Sequence, residues 1–90
     1  MNAVFSALSD PTRREILRML RDKPMTSGEI AGKFDHSWAT VSRHLSVLKA
    51  AGLVLVEKKA QNVVYEVNTT VMQDLIEHML EWSGRSNGNA

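Results

Sequence analysis

The sequence predicts a mainly α domain with one β-hairpin, in the order helix, helix, helix, helix, strand, strand, helix. Three observations predict it. Residues 26–52 hold two capped helical patterns joined by a short polar turn. Residues 53–67 switch to two β-rich runs around a polar loop, and residues 71–82 return to helical spacing with a broad apolar face. Ninety residues make a single domain, placed at 1–82, followed by a Gly/Ser/Asn-rich tail at 83–90 that is expected to be flexible.

Taken in order, Asn2 to Leu8 predicts a short helix with Val4, Phe5 and Leu8 on its apolar side. Asp10 is a good cap and Pro11 suits the first helical position, so a second helix runs from Pro11 to about Arg21. Ile16, Leu17 and Leu20 line its inner side, and Arg13, Arg14, Arg18 and Arg21 are read mainly as a solvated face. Thr26 with Glu29 three residues on is a capping box that starts a third helix, ending near Asp35-His36. Ser37 caps a fourth helix that reaches Ala51, where Gly52 stops it in a left-handed conformation.

The alternating stretch from Leu53 to Lys58 predicts a strand, Lys59 to Asn62 a turn, and Val63 to Val67 the returning strand. Asn68-Thr69-Thr70 supplies caps for the last helix, Val71 to about Trp82, with Met72, Leu75, Ile76, Met79 and Leu80 at helical spacing. Two helices separated by three or so turn residues make a helix-turn-helix, whose second helix enters the DNA major groove. A hairpin directly behind it is a wing. The predicted fold is therefore a winged helix-turn-helix.

Projection of the fourth helix at about 100° per residue places Val41, Leu45 and Leu48 in one inward stripe. Ala39, Ser42, Arg43 and Ser46 lie opposite, with Thr40 and Lys49 on the flanks. No acidic residue occurs from Ser37 to Ala51, whereas a helix merely solvated on that side more often carries Glu and Lys. The face is suited to close contact with a polyanion. At the wing tip, Lys58 and Lys59 are read either as contacts to DNA backbone or minor groove, or as solubilising lysines on an exposed edge.

Charge distribution points the same way. The net charge is only +1, but residues 1–60 carry a balance of +4 and residues 61–90 a balance of −3. A basic body with an acidic terminal helix suits a protein that offers one face to nucleic acid and turns another away. There are no cysteines, which removes disulfides and thiolate metal sites, so dimerisation is the expected route to more buried surface. The first and last helices are the expected two-fold interface, through Val4, Phe5, Leu8, Met72, Leu75, Ile76 and Met79. No apolar run approaches a membrane span and no signal-peptide pattern opens the chain, so a cytoplasmic protein without membrane insertion is the expectation.

Four blocks of the chain resemble the ArsR-type winged-helix transcriptional repressors. They are Ala7 to Leu17 (ALSDPTRREIL), Met25 to Ala31 (MTSGEIA), Thr40 to Val54 (TVSRHLSVLKAAGLV) and the wing with Tyr65 on its return strand. The opening Met1-Asn2 with Val4-Phe5, and the late Asn68 to Val71 segment, look most like the sporulation-delay autorepressor subgroup. The resemblance implies a homodimer held by the first and last helices, which blocks transcription from an imperfectly palindromic double-stranded operator and is autoregulatory. It maps DNA contacts onto Trp38, Ala39, Thr40, Ser42 and Arg43, with Ser27 near the backbone. Arg43 suits a bidentate contact to guanine, and the hydroxyls of Ser27, Thr40 and Ser42 suit phosphates. Trp38 is read equally as a contact to thymine methyls or as a packing residue. The tip Lys59-Ala60-Gln61-Asn62 departs from the glycine- and arginine-rich wing of many relatives.

Metal sensing and catalysis find little support. The helix before the turn reads Glu29-Ile30-Ala31-Gly32-Lys33-Phe34, without a thiol. The last helix offers Asp74 and His78 at i, i+4, for which a surface ion pair is the plainer reading than a site with N/O ligands. His44 is expected to be a partly buried structural histidine. No nucleophile stands in an activating motif and no Gly-rich phosphate loop exists, so an enzyme is not expected, nor a cofactor. A winged helix used only for protein contact is the competing function, disfavoured by the basic, acid-free reading face. Release by a protein or a small apolar effector is compatible with the sequence.

Overall fold

Asp10 and Pro11 set the first corner of the chain in the computed structural model, which describes residues 1–84. Helix α1 spans Asn2–Leu8 and helix α2 spans Pro11–Leu20. Between them Asp10 is extended, and its carboxylate accepts the N–H groups of Thr12 at 2.8 Å and Arg13 at 3.2 Å. The charge distribution there is favourable to an anion. Partial desolvation pushes the Asp10 carboxyl upward, but those two N–H groups, with His44 and Arg13 nearby, outweigh it and hold the group below its ordinary value.

The arginines of α2 divide in two. Arg18 and Arg21 are exposed and pair locally, with Glu15 at 2.6 Å and Asp22 at 3.4 Å. Arg13, half-buried, and Arg14, still exposed, turn back onto the end of α1. Arg13 Nε donates to the Ala7 carbonyl at 2.7 Å and Nη2 to that of Ser6 at 3.1 Å, while Arg14 Nη1 donates to the Leu8 carbonyl at 2.8 Å. The reason is that the last carbonyls of a helix have no intrahelical partner and attract cationic donors.

Thr26 closes the expected capping box: its hydroxyl accepts Glu29 N–H at 3.1 Å and its own N–H donates to Glu29 Oε1 at 2.8 Å. The helix it starts, α3, spans only Ser27–Ala31 and not the longer stretch to Asp35. Past Ala31 the bonds tighten to i→i+3, Lys33 to Ile30 and Phe34 to Ala31, and the chain leaves the α-helix at Gly32. Helix α4, Trp38–Ala50, is capped by Ser37 as expected. Gly52 lies at φ 78°, its N–H bonds Lys49 O, and the Leu53 N–H bonds Leu48 O. This is a Schellman ending, with the fully buried Leu53 as its apolar contact.

The sheet differs from a lone hairpin. Strands β2, Val54–Lys59, and β3, Asn62–Val67, pair antiparallel, and their link is the two residues Ala60 and Gln61, with Ala60 at φ 55°, in place of a four-residue turn. A further strand, β1 at Met25–Thr26, pairs with β3 through Met25↔Tyr65 and Thr26↔Val64, giving the order β1-β3-β2. Two residues are too few to show alternation, which is why the sequence gives no sign of it. The consequence is a wing anchored at its base by the same residue, Thr26, that caps α3.

Asn68 joins the wing to the last helix, α5, Thr69–Trp82. Its Oδ1 caps Val71 N–H at 3.4 Å and its Nδ2 donates to the Gly52 carbonyl at 2.9 Å. The core gathers Ile16, Ile30, Val41, Leu48 and Leu53 from four different segments, all fully buried, with Val4, Leu20, Met25, Leu45 and Leu75 around them. Of the expected tail, Ser83 and Gly84 are exposed and the rest lies outside the described residues.

Two stability predictions follow from these caps. Gly52→Ala has room for its Cβ, the nearest atom being Val71 Cγ2 at 3.9 Å, so only the left-handed backbone is strained. It should lower the unfolding free energy by about 1–2 kcal/mol in urea titration. The depressed Asp10 carboxyl contributes stability that is fully present above its ordinary value of 3.8 and lost as pH falls through the folded-state value. Asp10→Asn should therefore flatten the fall of the urea midpoint between about pH 5 and about pH 2; an unchanged acid limb would place the sensitivity elsewhere.

Candidate nucleic-acid interface

Burial of Val41, Leu45 and Leu48 leaves the opposite side of α4 outward. Trp38, Ala39, Arg43, Ser46 and Lys49 are exposed, and Thr40 and Ser42 are half-buried. At 13 residues the helix is about 20 Å long, enough to lie in a major groove. Its first turn is stiffened by Ser37, which accepts Thr40 N–H at 3.2 Å and donates its hydroxyl to Thr40 Oγ1 at 2.9 Å. The Thr40 hydroxyl keeps its own proton for a further acceptor. Among the described residues no hydrogen bond or ion pair engages the guanidinium of Arg43 or the ammonium groups of Lys49 and Lys58. These are cations held ready for an external anion.

Trp38 is 56% exposed, which places its indole on the surface at the start of the reading helix and away from the core. Ser27, half-buried, opens α3 beside the cap Thr26. Next to the turn, His36 stacks on Phe34 with ring centroids 5.7 Å apart, and its Nε2 lies 3.5 Å from the Thr12 hydroxyl. The N-terminus of α2 thus shares a surface with the turn of the helix-turn-helix.

The wing separates its two lysines. Successive residues of a strand point to opposite faces, so Lys58 shares the side of Val54 and Val56, and Lys59 that of Leu55 and Glu57. Lys59 is also tied to Glu57 at 3.7 Å. The two side chains therefore leave the wing on opposite faces. On β3, Tyr65 is half-buried against the core, and that burial pushes its phenol above the ordinary value.

The contact between α1, α2 and α4 gives no sign in the sequence patterns. His44 is half-buried, as expected, and its Nδ1 lies 3.1 Å from Arg13 Nη1 and 4.0 Å from Asp10 Oδ1. Only the proximity of a helix-end carbonyl, which sequence spacing does not give, identifies Arg13 as more than a surface charge.

The expected dimer residues fall into three groups. Phe5, Ile76 and Met79 are exposed, the last two at 54% each, and Trp82, Leu80 and Met1 lie exposed as well. The Phe5 and Trp82 rings sit 5.6 Å apart and join α1 to the end of α5 in one apolar surface. Leu8 and Met72 are half-buried and line a groove of about 560 Å³ with Leu17, Val67 and the stems of Arg14 and Arg18. Val4 and Leu75 are buried within the single chain, so they brace α1 and α5 from beneath and leave little surface for a partner. His78 pairs with Glu81 at 3.6 Å and stacks on Trp82, in place of the expected pairing with Asp74. Among the described residues no three potential metal ligands converge, and no helix is long and apolar enough to cross a membrane.

The chain matches known proteins over the same regions. Residues 8–57 fit the model of a helix-turn-helix domain family. The transcriptional repressor SdpR of Bacillus subtilis is 44% identical over 89 residues, covering 99% of each chain. The transcriptional activator HlyU of Vibrio cholerae is 34% identical over 74 residues, covering 82% of this chain and 68% of that protein. Among solved structures, an ArsR-like transcriptional regulator from Rhodococcus superposes with a TM-score of 0.80 at 31% identity, covering 92% of this chain and 77% of that one. An acid-free α4, an anchored wing, full-length likeness to a transcriptional repressor and structural likeness to ArsR-type regulators lead to one assignment: the chain is a transcriptional regulator, not an enzyme, and belongs to the ArsR-type winged helix-turn-helix family.

Proposed function

We propose that the protein is a homodimeric repressor that binds an imperfectly palindromic operator, its own promoter among the targets. The outward face of α4 carries this reading, because an unpaired Arg43 stands among hydroxyls and small side chains with no acid on the helix. Arg43 reads guanine through the fork of its guanidinium, Thr40, Ser42 and Ser27 hold phosphates, and Lys49 and Lys58 add charge beside the groove. Trp38 and Ala39 meet base edges at the start of the helix, where an exposed indole suits thymine methyls.

The homodimer is supported by α5. Its apolar side chains beyond Leu75 are left uncovered in one chain, and a surface including Ile76, Met79, Leu80 and Trp82 is costly to leave in water. Pairing α1 and α5 with their copies sets two α4 helices on one side of the dimer, which fits half-sites about 10 bp apart or a multiple of that. Repression and autoregulation rest on the likeness to SdpR, which extends over the whole chain.

Fluorescence anisotropy of a duplex from upstream of the protein's own gene, against a scrambled duplex, tests the reading. Tight and selective binding is expected. Equal, weak binding to both would remove autoregulation and leave a protein-contact module as the better account. Arg43→Ala should cost about 1–3 kcal/mol and relax preference at one base position; equal loss on every sequence would make Arg43 a phosphate contact. Ile76→Glu or Met79→Glu should weaken the dimer at least about tenfold in sedimentation, since a carboxylate would be buried without a partner. A variant that stays dimeric would move the interface elsewhere.

A further inference from the structure

Arg13 sits where three elements meet. Its guanidinium has five donors in a fixed plane, and three of them reach two helices besides its own. Nε donates to the Ala7 carbonyl at 2.7 Å and Nη2 to that of Ser6 at 3.1 Å, both at the end of α1. Nη1 lies 3.1 Å from Nδ1 of His44, in the middle of α4. Arginine only donates, so this His44 nitrogen accepts. The start of α2 is held as well: the Asp10 carboxylate accepts the backbone N–H of Arg13 at 3.2 Å and lies 4.0 Å from His44 Nδ1. Arg13 and His44 are both partly buried.

We infer that Arg13 is a positioning residue, which fixes the orientation of the dimerisation helix α1 relative to the reading helix α4 and so sets the spacing between the two reading helices of the dimer. The inference rests on the homodimeric repressor reading for its consequence on DNA, but the clamp itself lies within one chain.

Apolar packing alone would leave α1 loosely aligned. It has seven residues and places only Val4 and Ala7 in the core. A two-residue core contact restrains separation better than rotation, whereas a planar fork with three fixed bonds restrains both. Any rotation of α1 is carried into the dimer, because Phe5 on its outer side meets Trp82 of α5. His44, being in the same helix as Arg43, converts that orientation into the placement of the base-reading face. A lysine at position 13 would keep the charge and lose the fork.

The chain has no cysteine, so two spin labels can be placed cleanly on exposed α1 and α4 positions, Ala3→Cys and Ala50→Cys. Measured within one chain, after dilution with unlabelled protein, the label distance should be narrowly distributed. Arg13→Gln and His44→Leu should each broaden it, and His44→Asn, which restores an acceptor close to Nδ1, should narrow it again. In parallel, a duplex with two half-sites, selected by the unaltered protein from random DNA, should lose affinity about tenfold with His44→Leu. A single half-site should lose less than about threefold.

An unchanged distance distribution in His44→Leu, whose α1 contacts to Arg13 remain, would overturn the clamp even if Arg13→Gln fails to fold. Equal loss on one and two half-sites would overturn its role in spacing and assign both residues to local stability. Absence of selective DNA binding by the unaltered protein would sink the repressor reading and the spacing role, while the label distances would still decide the clamp.

Discussion

Burial of Val41, Leu45 and Leu48 fixes the roll of α4 about its axis, and the rest of the molecule is arranged to keep it fixed. A turn of the helix by one residue would carry about 100° of face with it and bring a different set of side chains outward. The two ends of α4 are closed by independent devices, the Ser37 cap at the start and the Gly52 ending at the other. Asn68 then ties that second end to the start of α5 through the Gly52 carbonyl. With roll and both ends held, the backbone position from which Arg43 projects is fixed, and only the unpaired side chain remains to be ordered on binding.

The two outer helices are attached differently. α1 is bound by Val4 and Ala7 in the core and by polar contacts from Arg13 and Arg14 at its C-terminal end, and α5 through Val71, Met72 and Leu75 near its start. Beyond Leu75 the helix carries apolar residues into solvent. A 90-residue chain with no disulfide has little core to spare, and the proposed homodimer would cover the exposed Ile76, Met79 and Trp82. The acidic Asp74, Glu77 and Glu81 on the same helix disfavour its approach to phosphates. The proposed function accordingly gives association to one helix and DNA to another, with opposite charge to separate them.

Much of this was legible in the sequence, for physical reasons that differ by element. The stripe on α4 recurs over 13 residues, and its caps are written in side chains, Ser37 and Gly52, that have few other uses. The face of Arg43 follows from that periodicity. What was hidden lay in contacts across the chain. Strand β1 has two residues and exists only because β3 lies beside it. The early end of α3 depends on Gly32 and on the tightened bonds that follow, where the apolar spacing of Phe34 still suggested helix. Arg13 looked like Arg18, five residues further on, until the end of α1 was placed against it. Val4 and Leu75 have the same apolar character as Phe5 and Met79, and only the packed chain separates residues that brace a helix from those that face outward.

Hydroxyl-radical footprinting of the protein on a duplex selected from random DNA tests the central claim most directly, since it reports groove, spacing and symmetry together. Two reading helices fixed in one dimer predict two protected blocks on one face of the duplex, about 10 bp or a multiple apart and related by a pseudo-palindrome. A single protected block, or uniform weak protection without sequence preference, would contradict a dimer that reads DNA through α4.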